Sequence, residues 1–144
     1  MKNLHPLVLE KANLLLTKAK EAGLTVGIFH GFRSVEDQNA LYAQGRTKPG
    51  PIITKARGGL SWHNYGLAID VVFGGPKKWS WAESNNWALL GKLGKECGFE
   101  WGGDWKQVDR PHFQYCGSIK KIREALRLYQ KGGLQAVWQA VEKK

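Results

Sequence analysis

Two hydrophobic periods alternate along the first third of the chain. In PLVLEKANLLLTKAKEAG, Leu7, Leu14, Leu15 and Ala22 recur at roughly helical spacing behind Pro6, whose missing N–H costs little in a first turn, and Gly23 closes the segment. LTVGIF (24–29) reads as a short strand. Ser34 is placed to cap a helix over VEDQNALYAQ, with Asp37 as a weaker capping partner and Gly45 as the stop, so Arg33 stands at a strand-to-helix junction. RTKPGPIITKARGGLSW (46–62), rich in Pro, Gly and basic residues, reads as an ordered loop, a common place for binding groups. A strand follows over LAIDVVF (67–73), then a turn-rich passage holding Trp79 and Trp81, then a helix from about Trp87 to Glu96 stopped by Gly98. FEWGGDW is a loop, DRPHFQY (109–115) a strand, and SIKKIREALRLYQ and LQAVWQAVEKK are two helices broken at Gly132 and Gly133. No internal repeat interrupts this alternation, which predicts an α+β domain.

Length and charge narrow the picture. A chain of 144 residues is one ordinary domain with room for a hydrophobic core, so residues 1–144 are expected to form a single unit, with 118–144 a basic helical extension packed on it. A net charge of +10 implies attraction to a polyanion. The basic residues are scattered and carry no recognised nucleic-acid motif, so a nucleic-acid partner is not expected. Cys97 and Cys116 form no CxxC pair, which argues against a disulfide framework or a cysteine zinc site. The N-terminal apolar positions are broken by Lys11, Asn13, Lys18 and Lys20, unlike a signal peptide, and no apolar run approaches spanning length. The expectation is synthesis in the cytoplasm without a signal peptide and no stable membrane insertion.

Candidate chemistry centres on SWHNYGLAIDVVF (61–73). Strand periodicity puts Asp70 on one face with Ala68 and Val72, and Ile69, Val71 and Phe73 on the other. A carboxylate there needs a partner, and Gly66 lets the chain bend so that His63 can supply one. Two ligands do not make a site; His112 in VDRPHFQY is the third candidate. Two histidines, a carboxylate and an open fourth position make the usual shell of a catalytic zinc, which generates hydroxide near neutral pH and polarises carbonyls. Asp109 is the candidate base. Its spacing from His112 would put the two side chains on opposite faces of a flat strand, so Pro111 must mark a bend or bulge.

SWHNYGLAID resembles the SxHxxGxAxD signature of the LAS-type zinc peptidases, which include D-alanyl-D-alanine carboxypeptidases and the L-alanyl-D-glutamate endopeptidases of phage endolysins and bacilli. LHP, GFRS with Gln38, LYAQGRTKPG, TKARGG, GFEWGGDW and the final DRPH follow the order of the endopeptidase branch, over roughly residues 4 to 116. The resemblance implies a small antiparallel sheet with flanking helices and a zinc site in a surface cleft. It implies one Zn2+ held by His63, Asp70 and His112, with Asp109 as acid/base, where dipeptidase relatives carry glutamate. Arg33 matches the arginine that polarises the carbonyl and stabilises its oxyanion. Ser61, Gln38 and Trp105 are the substrate-binding candidates. The activity implied is hydrolysis of the L-alanyl-D-glutamate bond of peptidoglycan stem peptides by a monomer, in a phage-type endolysin reaching the wall through a holin-like pore. The alternatives are a D-alanyl-D-alanine carboxypeptidase and a non-catalytic wall-binding module.

Other residues get plainer readings. His5 and His30 are structural or surface residues, with His30 near enough to Arg33 to line the cleft. Asp104 caps a loop, and it and Glu100 are the substitute bases should Asp109 fail. Trp87 and Trp138 are core; Trp62, Trp101 and Trp105 flank the ligands and are better placed to line a groove. Residues 118–144 hold seven Lys/Arg against two Glu, a basic face that is solvated or that holds anionic envelope polymers.

Overall fold

In the computed structural model, which describes residues 3–143, the chain runs α1 (Pro6–Glu21), β1 (Val26–His30), α2 (Val35–Ala43), a 3-10 turn (Trp62–Tyr65), β2 (Ala68–Gly75), β3 (Lys78–Ser80), α3 (Trp87–Glu96), β4 (Glu100–Trp101), a second 3-10 turn (Gly102–Asp104), β5 (His112–Gln114) and α4 (Ile122–Glu142). The strands make one antiparallel sheet in the order β1-β2-β5-β4, with β3 paired to the far end of β2. This is the α+β architecture expected, a small antiparallel sheet flanked by helices.

β2 is the hub. Ile69, Val71 and Phe73 face the core with Phe113 of β5, against Val8, Ala12, Leu15 and Ala19 of α1, Trp87 and Leu90 of α3, and Ala125, Val137 and Val141 of α4. Each large apolar side chain fully buried in this way contributes about 1.5–3 kcal/mol. α3 lies close on the sheet because Gly91 and Gly94 bring bare backbone against the Trp101 and Phe113 rings. The opposite face of β2 carries Asp70 at a cleft, between Ala68 and Val72, which are buried.

Several elements differ from the sequence reading. α1 is in place, but its buried stripe is Val8, Ala12, Leu15 and Ala19, and Leu14 is exposed. Two apolar triplets, LVL and LLL, admit more than one stripe, and packing against β2 and α3 selects among them. α1 is capped by the His5 ring, whose Nδ1 accepts from Leu7 N at 3.0 Å. β5 starts at His112, because Asp109 to His112 form a turn closed by His112 N donating to Asp109 O at 3.2 Å. Pro111 therefore marks a bend, as the parity argument required. β3, which returns on β2 with Gly75 opposite Lys78, was hidden in the turn-rich passage, since three residues are too few for a periodic signal. The last helical stretch agrees with the sequence reading: α4 is two helices broken at Gly132 and Gly133, the latter at φ +72°. Both cysteines are free thiols. No helix among the described residues is long and apolar enough to cross a membrane.

Candidate active site

Two sequence motifs are tied together to build the cleft. Ser61 caps the 3-10 turn by accepting from His63 N, and Asn64 Oδ1 accepts from Gly59 N and Ser61 N. Asn64 Nδ2 then donates to Arg33 O at 2.9 Å, while Arg33 N donates to His63 O at 3.0 Å. The turn ends at Gly66, at φ +67°, where a Cβ would overlap the Asn3 carbonyl, so only glycine fits. The chain thereby enters β2 with His63 directed back over Asp70.

Register does the rest. Asp70 faces His112 across β2 and β5, and at its other edge it pairs with His30, where β1 is bulged between Ile28 and His30. His63 Nε2 lies 3.4 Å and His112 Nδ1 3.6 Å from Asp70 Oδ1. Among the described residues, His63, Asp70 and His112 form a group whose ligand atoms all lie within 4.8 Å of one another.

The outer partners settle the tautomers. His63 Nδ1 is 2.8 Å from the Gly31 carbonyl, which can only accept, so Nδ1 carries the hydrogen and Nε2 presents a lone pair. Gln114 Nε2 donates to Glu100 at 2.9 Å, which leaves Gln114 Oε1 to accept from His112 Nε2 at 2.7 Å, and His112 Nδ1 presents its lone pair to Asp70. Three acceptor atoms thus converge with no hydrogen between them, an arrangement that repels itself unless a cation sits at the centre. Two imidazole nitrogens and one carboxylate oxygen, open on the cleft side, fit a hydrolytic zinc. Without an ion a proton does part of this work. Burial opposes the Asp70 charge, but hydrogen bonds and charge from His112 and His63 outweigh it and hold the carboxyl well below its usual range. Burial likewise opposes charge on His112, and Asp70 overcomes it, so the imidazole is raised.

The cleft around this centre has a volume of about 540 Å³, and its walls include Arg33, Ser61, Trp105 and Asp109. Asp109 Oδ2 lies 3.9 Å from His112 Nδ1, and burial, with Asp70 nearby, raises its pKa despite the opposing pull of His112. Trp105 tilts over His112 with ring centroids 5.0 Å apart. Arg33 Nη1 donates to Gln38 Oε1 at 3.0 Å, and burial lowers its pKa without bringing it near neutrality.

Gln38 is placed differently from the other substrate candidates. It is fully buried, donates to Ala56 O at 2.8 Å, and stands behind the cleft wall holding Arg33 to the 54–56 loop. Asp104 points away to Lys95 at 2.9 Å, and Glu100 is engaged by Gln114, so neither substitute base faces the centre. Trp101 gives its N–H to Arg110 O and packs on α3. His30 sits beside His63 with ring centroids 5.5 Å apart; burial, Arg33 and His63 lower its pKa and keep it neutral. His5 is buried against Trp138. Sequence reasoning missed Gln114 and Gly31, and named Glu100 only as a substitute base, whereas it holds the Gln114 amide. Gln114 was within reach, since it shares strand parity with His112.

A larger groove of about 900 Å³ lies on the other side of Trp62 and Gln114, but among the described residues no group of metal-ligand atoms converges there. The chemistry belongs to the smaller cleft.

Comparison with known proteins gives the same answer. The family model described as D-alanyl-D-alanine carboxypeptidase matches residues 54–115, which include all three candidate ligands and Asp109. The peptidoglycan L-alanyl-D-glutamate endopeptidase CwlK of Bacillus subtilis (strain 168) is 45% identical over 122 residues, 78% of this chain and 73% of that protein. The L-alanyl-D-glutamate peptidase of Listeria phage A118 is 32% identical over 107 residues, 72% of this chain but 35% of the phage protein. Among solved structures, the L-Ala D-Glu endopeptidase ChiX of Serratia marcescens superposes with a TM-score of 0.56 at 28% identity, covering 78% of this chain and 80% of that one. The chain belongs to the LAS-type, D-alanyl-D-alanine carboxypeptidase-like zinc peptidases, in the branch of the peptidoglycan L-alanyl-D-glutamate endopeptidases.

Proposed function

We propose that this protein is a zinc-dependent endopeptidase that hydrolyses the amide bond between L-alanine and D-glutamate in peptidoglycan stem peptides. The convergence of His63 Nε2, Asp70 Oδ1 and His112 Nδ1 on one point of an open cleft carries the proposal, and the relatives supply the bond. When bound, zinc polarises the scissile carbonyl and acidifies water. Asp109 takes the proton of the attacking water and returns it to the departing D-glutamate amine. Arg33, fixed by Gln38, places a guanidinium where negative charge develops on the carbonyl oxygen. Trp105 and Ser61 border the cleft and position the peptide.

The protein acts as a monomer on the bacterial wall, after holin-type release. The exposed Lys120, Lys121, Arg123, Arg127 and Lys131 at and along α4 add affinity for anionic envelope polymers.

The deciding experiment is a digest of purified peptidoglycan with and without a chelator, followed by amine labelling and mass spectrometry. New D-glutamate amines that vanish with chelation are the expected result. Released D-alanine would make the enzyme a carboxypeptidase. No cleavage by metal-loaded protein on several wall types would leave a binding module.

A further inference from the structure

Phe29, Trp79 and Trp81 form an aromatic cluster outside the reaction just described. Phe29 is 47% and Trp81 51% exposed, unusual for side chains of this size, and they meet edge to face with centroids 4.9 Å apart. Trp79 meets Phe29 the same way at 5.7 Å. The Trp79 ring lies on bare backbone of β1: a Cβ on Gly27 would come 3.0 Å from its Cη2. Trp87, Trp101 and Trp138 each give their indole N–H to a backbone carbonyl, whereas no acceptor among the described residues takes that of Trp79 or Trp81. A large apolar patch with unused donors marks a binding surface.

The patch is continuous with the active site. Gly27 pairs with Val72 and Trp79 with Gly74, on the face of β2 that carries Asp70. Gly74 is four residues from Asp70, about 13 Å at about 3.3 Å per residue. Phe29 bridges the gap, since it adjoins the bulge opposite Asp70 and lines the catalytic cleft with Ile53.

We propose that Phe29, Trp79 and Trp81 form a carbohydrate subsite that stacks N-acetylated hexoses of the glycan strand from which the stem peptide hangs. The inference rests on the endopeptidase reading. In that substrate the L-alanine amine is joined to a lactyl arm on the sugar, so the first hexose lies about 7 Å, two residue lengths, from the scissile carbonyl. That distance reaches the Phe29 end of the patch, and the next hexose reaches the tryptophans. The C–H face of a pyranose packs on an aromatic ring while its hydroxyls stay in water, and acetamido carbonyls can accept the unused indole N–H groups. A carboxypeptidase cutting at the far end of the stem would place the glycan several residues away and have no use for such a surface here.

Trp81→Ala tests the assignment, because Trp81 is exposed and its removal leaves the core intact. The variant and the wild type are compared on glycan-linked stem peptide and on a sugar-free L-alanyl-D-glutamyl tetrapeptide. The expected result is a loss of about tenfold in kcat/KM on the glycan-linked substrate, the scale of one lost aromatic contact, with the sugar-free rate unchanged. NMR titration of the metal-loaded wild type with chitotetraose should shift the indole N–H signals of Trp79 and Trp81, and Trp81→Ala should weaken that binding. Equal loss on both substrates, no loss on either, or a dimer in sedimentation that Trp81→Ala dissolves would overturn the subsite. Chitotetraose binding at these indoles by a wild type that cleaves neither substrate would instead sink the endopeptidase reading and leave the subsite standing.

Discussion

The two faces of β2 are built from alternate residues of one strand and obey opposite rules. Ile69, Val71 and Phe73 are at most 8% exposed and belong to the hydrophobic core. Asp70, between them in sequence, is a charge held at the floor of a cleft by two histidines. β5 repeats the division, with Phe113 in the core and His112 and Gln114 on the cleft side, and so does the turn before β2, where His63 faces Asp70 and Tyr65 is buried. Stability and chemistry are thus interleaved one residue apart, and parity separates them. Substitutions on one face should move folding and leave turnover, and those on the other should do the reverse.

The sharpest test is Asp109→Ala. It should lower kcat by about 10²–10⁴-fold, the usual worth of a positioned acid/base, while Tm and bound zinc stay unchanged. Near-native turnover would remove Asp109 from the chemistry. The mirror image is Ile69→Ala. Emptying that core position should cost about 2–5 kcal/mol in denaturant unfolding, with kcat per folded molecule preserved. If turnover fell in the folded fraction, the faces would be coupled and the division broken.

Gln114→Leu probes the boundary. Its amide fixes which His112 nitrogen carries hydrogen, so its loss should weaken zinc binding about 10–100-fold in competition with a fluorescent chelator. Glu100→Ala should weaken it less, because Gln114 keeps its place in β5. Unchanged affinity in Gln114→Leu would mean that the strand alone orients His112.

The cleft face was more legible than the core face. His112, Asp109 and Arg33, far along the chain, were joined to the site by the resemblance of their motifs to the LAS-type zinc peptidases, and the approach of His63 to Asp70 followed from nearby residues, since Ser61 and Gly66 shape the turn between them. The stripe of α1 did not, because LVLEKANLLL offers several apolar faces and only the arrival of β2 and α3 chooses one. The Gln38 placement was out of reach for the same reason: its partners at Arg33, Thr54 and Ala56 meet only after the 46–62 loop folds back. The aromatic patch depends on β3 returning along β2, and a three-residue strand leaves no periodicity to read.

The smallest predicted effect lies in the SWHNYG turn, two residues from the candidate ligand His63. Tyr65 is fully buried and donates its hydroxyl to Gly59 O at 2.7 Å; burial, with Tyr129 beside it, pushes its pKa up to about 12. An unfolded tyrosine ionises near pH 10, so the folded state holds this proton more tightly. The resulting stability is complete below about pH 10 and is lost as the pH rises toward about 12. Thermal unfolding of wild type and Tyr65→Phe should show it as a difference. At pH 8 the variant loses about 1 kcal/mol for the missing hydrogen bond. Between pH 10 and pH 12 the wild type declines more steeply and the gap narrows. Zinc affinity should match wild type at pH 8, since Tyr65 points into the core. A shift in affinity there would show that the core side of this turn also shapes the metal site.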